Sequence, residues 1–217
     1  MALKAVFFDM DGLVLDSEQV FYREFHSALL KRGVDIPMDK FVTLLGRRNA
    51  EIAMKFHEMY PDFENYDEFS EQFDIDFEET VSKEAIPVKK GCLELLSALK
   101  ERGIKKYIVT SSALPWTKTL LGNAGIYDLF DEIITGEMVK NSKPAPDMYL
   151  HAMDVAGADH SECLVLEDSI AGCMSSVNAG IRVICVPDLV APPEEVISKC
   201  YKVVASLDEV IPLLDTM

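Results

Sequence analysis

Residues 4–12 read KAVFFDMDG, and the order of parts within that stretch decides the fold. Ala5 to Phe8 is an apolar run too short for a helix, cut off by two aspartates and a glycine. Such a run is a buried strand ending in a polar turn. Strands that are apolar throughout, rather than alternating, belong to parallel sheets covered on both faces. The pattern recurs at 107–110 (YIVT), 132–135 (EIIT), 163–166 (CLVL) and 181–186 (IRVICV).

Helical signals separate these strands. Cys92, Leu95, Leu96 and Leu99 share one helical face, with Gly103 as a stop. Pro115 opens a helix running toward Ala124, and Pro146 opens another that carries Tyr149, Ala152, Met153 and Ala156 before Gly157. Ser169 to Ala179 forms a further helix, ended by Gly180. The alternation predicts an α/β fold, a doubly wound parallel sheet with the strand at 4–8 near its centre. Residues 17–86 break it. Val20, Phe25, Ala28 and Leu29 make a helical face that stops at Gly33, and helical segments follow near 37–45, 49–60 and 65–83. Eight of the eleven phenylalanines lie between residues 21 and 77, enough to fill a small bundle. The expected organisation is an α/β core of residues 1–16 and 87–217, with an inserted all-α helical domain at 17–86.

Composition narrows the partners. Of 217 residues 49% are hydrophobic and 27% charged, ordinary for a globular protein. The formal net charge is −16, from 37 acidic and 21 basic residues. That field repels nucleic acid and anionic membranes, so neither is expected as a partner. No stretch approaches the roughly 18 apolar residues of a membrane span, and the N-terminal apolar run is too short for a signal segment. Cys92, Cys163, Cys173, Cys185 and Cys200 lack CxxC spacing and mostly sit in apolar runs, as buried thiols in a reducing compartment do. The expectation is a cytoplasmic monomer.

Open parallel sheets collect ligands outside the carboxyl ends of their strands. This sequence puts Asp9 and Asp11 there, then Thr110, Ser111 and Ser112, then Lys143, then Glu167 and Asp168. Carboxylates so close repel unless a cation holds them. With oxygen ligands only and no histidine cluster, the expected ion is Mg²⁺, which takes one or two carboxylates plus substrate phosphate. Lys143 and Thr110 or Ser111 would supply the positive and hydrogen-bonding groups that a bound phosphate needs. A carboxylate at the sheet edge could then attack phosphorus.

DMDGLVLDSE, IVTSS, SKPAPDMY and LVLEDSIAG together resemble the four motifs of the haloacid dehalogenase (HAD) superfamily, in order and across essentially the whole chain. The resemblance extends to the subgroup with a helical cap after the first strand, which holds phosphoglycolate phosphatase, beta-phosphoglucomutase and sugar-phosphate phosphatases. It implies a Rossmann-like core and an aspartyl-phosphate route on a small phosphorylated metabolite. It makes Asp9 the nucleophile and Asp11 the general acid and base, with a main-chain carbonyl that touches Mg²⁺. Thr110 would bind the phosphoryl group, with the Ser111 amide beside it. Lys143 would steady Asp9 and the phosphoryl oxygens, and Asp168 would complete the metal site, with Glu167 as a further ligand or as support.

Asp11 speaks against a dehalogenase, which attacks carbon and has no use for a second aspartate two residues on. The phosphomutase pattern carries a histidine near the start of the cap and a cap arginine. Phe21 and Asn49 stand at those positions, so hydrolysis is preferred over mutase chemistry. Intact motifs argue against an idle binding module. Arg47 and Arg48 read either as surface charges or as groups that reach toward an anionic substrate.

Overall fold

The computed structural model describes residues 3–45 and 49–217. The readings placed on Arg47, Arg48 and the side chain of Asn49 fall outside the described residues. Contacts divide the chain into two compact units, residues 1–17 with 85–217 and residues 18–84.

The larger unit is built on six strands: β1 (Ala5–Phe8), β2 (Lys105–Thr110), β3 (Glu132–Thr135), β4 (Cys163–Glu167), β5 (Arg182–Cys185) and β6 (Lys202–Val203). Their order is β3-β2-β1-β4-β5-β6, and every pairing is parallel. Phe8 lies opposite Ile108 on one side and Leu166 on the other, so β1 is central. All residues of β1 and β4 are buried, which is why both read as unbroken apolar runs. The chain builds outward from β1 to β3, then crosses back to start β4 on the other flank of β1. That reversal places the topological switch point, where open sheets bind ligands, at the carboxyl ends of β1 and β4.

Helices of the smaller unit and its entry are α1 (Ser17–Leu30), α2 (Met38–Phe41), α3 (Asn49–Met59) and α4 (Tyr66–Lys83). The sheet is flanked by α5 (Cys92–Glu101), α6 (Leu114–Asn123), α7 (Asp147–Ala156) and α8 (Ile170–Asn178). On one face of the sheet Phe7, Val109, Val165 and Val183 form one core with Met148, Tyr149 and Ala152 of α7 and Cys173 of α8. Each large apolar side chain so buried contributes about 1.5–3 kcal/mol. The starts and stops follow the sequence signals: Pro115 sits in the first turn of α6, and Gly157 ends α7 in the left-handed region at φ 59°. Nothing in the sequence reading anticipates β6, two exposed residues at the sheet's edge with no apolar run.

Residues 18–84 close around stacked phenyl rings. Phe21 meets Phe73 and Phe77 edge-on at 5.1 Å between centroids, and Phe25 meets Phe73 at 5.1 Å. Phe25, Phe41, Phe56, Phe69 and Phe73 are all buried. Phe21 is thus a packing residue of this bundle. Among the described residues no helix is long and apolar enough to cross a membrane. All five cysteines are free; four are buried and Cys200 is half-buried.

Candidate active site

The turn after β1 is held by its backbone and its apolar anchors. Val14 and Leu15 both donate to the Met10 carbonyl, and the Asp9 amide donates to Leu166 on β4. Met10, Leu13, Val14 and Leu15 are buried. Gly12 takes φ +80°, and its amide donates to Leu15 O and to the Ser17 hydroxyl. The turn therefore presents Asp9 and Asp11 in fixed positions.

Lys143 is the hub. Its ammonium donates to Asp9 Oδ1 at 2.5 Å, Glu167 Oε1 at 2.6 Å and Val109 O at 2.8 Å, one acceptor for each proton. The side chains are 6% exposed for Lys143, 13% for Asp9 and 0% for Glu167. Burial alone would lower the Lys143 ammonium, but Asp9 and Glu167 outweigh it and hold the group above its ordinary value. Asp9 is raised too, but for the opposite reason. Burial pushes its carboxyl up to about 7 against the pull of Lys143.

Glu167 is saturated. Its Oε1 accepts from Lys143 and from the Tyr149 hydroxyl at 2.8 Å, and its Oε2 accepts from the Ser169 hydroxyl at 3.0 Å. Ser169 in turn caps α8 by accepting from the Gly172 amide at 3.0 Å. Sequence reasoning placed Tyr149 on the apolar face of its helix and did not connect it to the site. The available signal was chemical, since a buried tyrosine hydroxyl needs a partner.

Gly172 is the helical residue against which the Glu167 carboxylate rests. A Cβ built there would lie 1.7–2.1 Å from three Glu167 carboxylate atoms. In an open helix Gly→Ala stabilises by about 0.5–1 kcal/mol. Here Gly172→Ala is expected to destabilise instead, by about 1–3 kcal/mol, because four hydrogen bonds pin the carboxylate it would strike. Urea unfolding measures the sign; a gain in stability would mean that Glu167 is not fixed in this way.

The remaining residues group around β2. Thr110 ends that strand, is 1% exposed, and accepts the Ser112 amide on its hydroxyl at 3.1 Å. Ser111 is exposed and lies 3.0 Å from the Ser142 hydroxyl. The Ser112 hydroxyl donates to Asp11 Oδ2 at 2.9 Å, a link the sequence reading did not make. Burial raises the Asp11 carboxyl, and hydrogen bonds from Ser112 and Ser17 pull against that rise.

Asp168 faces the same space. Asp9, Glu167 and Asp168 each offer a carboxylate oxygen, all within 4.8 Å of one another. Asp168 Oδ1 is buried without a hydrogen-bond partner. Burial, then Asp9 and Glu167, push its carboxyl well above the ordinary range. Hard oxygen donors with an unsatisfied buried member suit Mg²⁺. The structure thus brings Asp9, Lys143, Glu167 and Asp168 together, and places Asp11 and Thr110 at the neighbouring ends of β1 and β2.

A family model described as haloacid dehalogenase-like hydrolase matches residues 6–186. Hexitol phosphatase A of Escherichia coli is 31% identical over 186 residues, 86% of this chain and 84% of that protein. Protein SUPPRESSOR OF QUENCHING 1 of Arabidopsis thaliana is 32% identical over 85% of this chain, which spans 18% of that protein's length. Among solved structures, a HAD family hydrolase from Deinococcus radiodurans with bound phosphate and sodium superposes with a TM-score of 0.87 at 24% identity, covering 99% of this chain and 96% of that one. Structures of beta-phosphoglucomutases share the fold as well.

Proposed function

Because the chain belongs to the haloacid dehalogenase-like hydrolase family, we propose that it is a Mg²⁺-dependent phosphatase that hydrolyses a small phosphorylated metabolite, a sugar phosphate or similar, through an aspartyl-phosphate. The observation that carries the reading is the Lys143 ammonium, shared between Asp9 and Glu167 at the switch point of the sheet. It holds one Asp9 oxygen and leaves the other for attack. The likeness to hexitol phosphatase A supports the substrate class.

Asp9 attacks phosphorus while Asp11 gives its proton to the departing substrate oxygen. Asp11 then takes a proton from water as that water displaces the Asp9 carboxylate and releases inorganic phosphate. Burial of Asp11 favours its protonated form before the first step. Thr110 and the Ser111 amide hold the phosphoryl oxygens, and Lys143 keeps Asp9 in place. Asp9, Asp168 and the Asp11 main-chain carbonyl would hold Mg²⁺, with Glu167 as support through Lys143. When bound, Mg²⁺ neutralises the phosphate and the carboxylates that face it. The enzyme acts as a cytoplasmic monomer on a diffusible substrate, without nucleic acid or membrane partners.

The test is a panel of phosphorylated metabolites with Mg²⁺, scored by phosphate release. Activity is expected on at least one small phosphate ester and should vanish in excess EDTA. Full activity with chelator present would remove the metal from the mechanism.

Hydrolysis is preferred to intramolecular transfer because Phe21 is committed to packing against Phe73 and Phe77 and carries no titratable group. With beta-glucose 1-phosphate and a trace of the 1,6-bisphosphate, free phosphate should exceed glucose 6-phosphate. The reverse ratio would establish a mutase.

A further inference from the structure

Asp188 plays no part in the mechanism above. It follows β5, and its side chain is 8% exposed. Its Oδ1 accepts a hydrogen bond of 2.5 Å from the Lys89 ammonium, which also reaches Asp16 Oδ1 at 3.3 Å. Its Oδ2 is buried and without a partner. Leaving a buried acceptor unpaired costs about 1–3 kcal/mol, so a donor belongs beside it.

The position of Gly12 shows where that donor would lie. A Cβ built on Gly12 would fall 2.5 Å from Asp168 Oδ2 and 3.3 Å from Asp188 Oδ2. The two carboxylates therefore converge on one side of Gly12, and Asp168 also has a buried oxygen without a partner. Asp188 is not one of the three residues whose carboxylate oxygens lie within 4.8 Å of one another.

We propose that Asp188 is a positioning residue of the cation site: its Oδ2 accepts a hydrogen bond from a water carried by Mg²⁺, while Lys89 holds the carboxylate in that orientation. The inference rests on the metal site proposed above. Mg²⁺ keeps several of its waters when protein carboxylates bind it, and those waters need acceptors. Lys89 offsets most of the Asp188 charge, being closer to it than to Asp16, so Asp188 adds an acceptor with little added negative charge beside Asp9, Glu167 and Asp168.

Isothermal titration of the full chain with MgCl₂, without substrate, tests this. Lysine only donates hydrogen bonds, so in Asp188→Asn the amide oxygen must face Lys89 and the NH₂ must face the cation's water. That puts a donor where an acceptor is needed, and the Mg²⁺ dissociation constant is expected to rise about tenfold. A constant within about twofold of wild type would overturn the proposal. Should Asp188→Asn fail to fold, the double variant Lys89→Met, Asp188→Leu decides. It removes both charges of the pair together with the acceptor, so the Mg²⁺ dissociation constant is expected to rise about threefold or more with the pair's net charge unchanged; an unchanged or lower constant would overturn the proposal. A wild-type chain that binds no Mg²⁺ would instead defeat the metal reading itself.

Discussion

Asp9→Asn is expected to retain less than about a hundredth of wild-type kcat, a loss of at least ~2.7 kcal/mol in barrier. The amide has nearly the shape of the carboxylate but is a poor nucleophile toward phosphorus and a weaker metal ligand. The fold should survive the change. Burial already disfavours the charged form of Asp9, raising its carboxyl to about 7, and Asn removes that desolvated charge. Lys143 keeps Glu167 and the Val109 carbonyl as partners. Kinetics on the best substrate of the panel, with a thermal melt of the same preparation, decide the matter. A variant that turns over faster than this bound while melting like wild type would take the nucleophile role away from Asp9.

Lys143→Met should be costly to stability as well as to turnover. The ammonium lies between two buried carboxylates, and methionine would leave Asp9 and Glu167 facing each other across an apolar side chain. Removing one partner of a buried ion pair costs about 3–5 kcal/mol, because the charge left behind is uncompensated. Urea unfolding near pH 8 without metal should show a loss of that order. Mg²⁺ should restore part of it, since a cation binding only the folded chain stabilises it by mass action. A loss under about 1 kcal/mol would mean that the carboxylates find other partners and that Lys143 is not the electrostatic keystone of the site.

The sheet was legible because burial on both faces leaves a plain trace in sequence. KAVFF, YIVT, EIIT and CLVL carry no polar alternation, and each became a strand. Among the helices between them, α6 and α7 announced themselves by proline at their starts, and α5, α7 and α8 by glycine just past their ends. β6 left no trace, because two exposed edge residues bury nothing and so constrain nothing. The site was legible as far as main-chain topology carries it: side chains that follow strands gather at one edge of a parallel sheet. The links that cross between elements were not. Tyr149 to Glu167, Ser112 to Asp11 and Lys89 to Asp188 join residues 18, 101 and 99 positions apart, and no local pattern encodes such distances. Tyr149 was hidden because its ring reads as core while its hydroxyl serves the site.

The two passages by which the chain leaves and re-enters the larger unit are zipped together. Leu15 and Val88 form an antiparallel bridge, the Asp16 amide donates to Pro87 O, and the Lys89 amide donates to Val14 O. The ends of the inserted segment are thus tied to each other by the sheet-bearing unit itself. The insert behaves as a cassette on a clamped doorway. Closing a loop whose ends are already held costs little more when the loop grows, about 0.6 kcal/mol for each doubling of its length. A longer, shorter or differently folded segment can occupy residues 18–84 without disturbing the register of β1 or the turn that carries Asp9. Variation in the insert is thereby uncoupled from the register of the strand and turn that present Asp9.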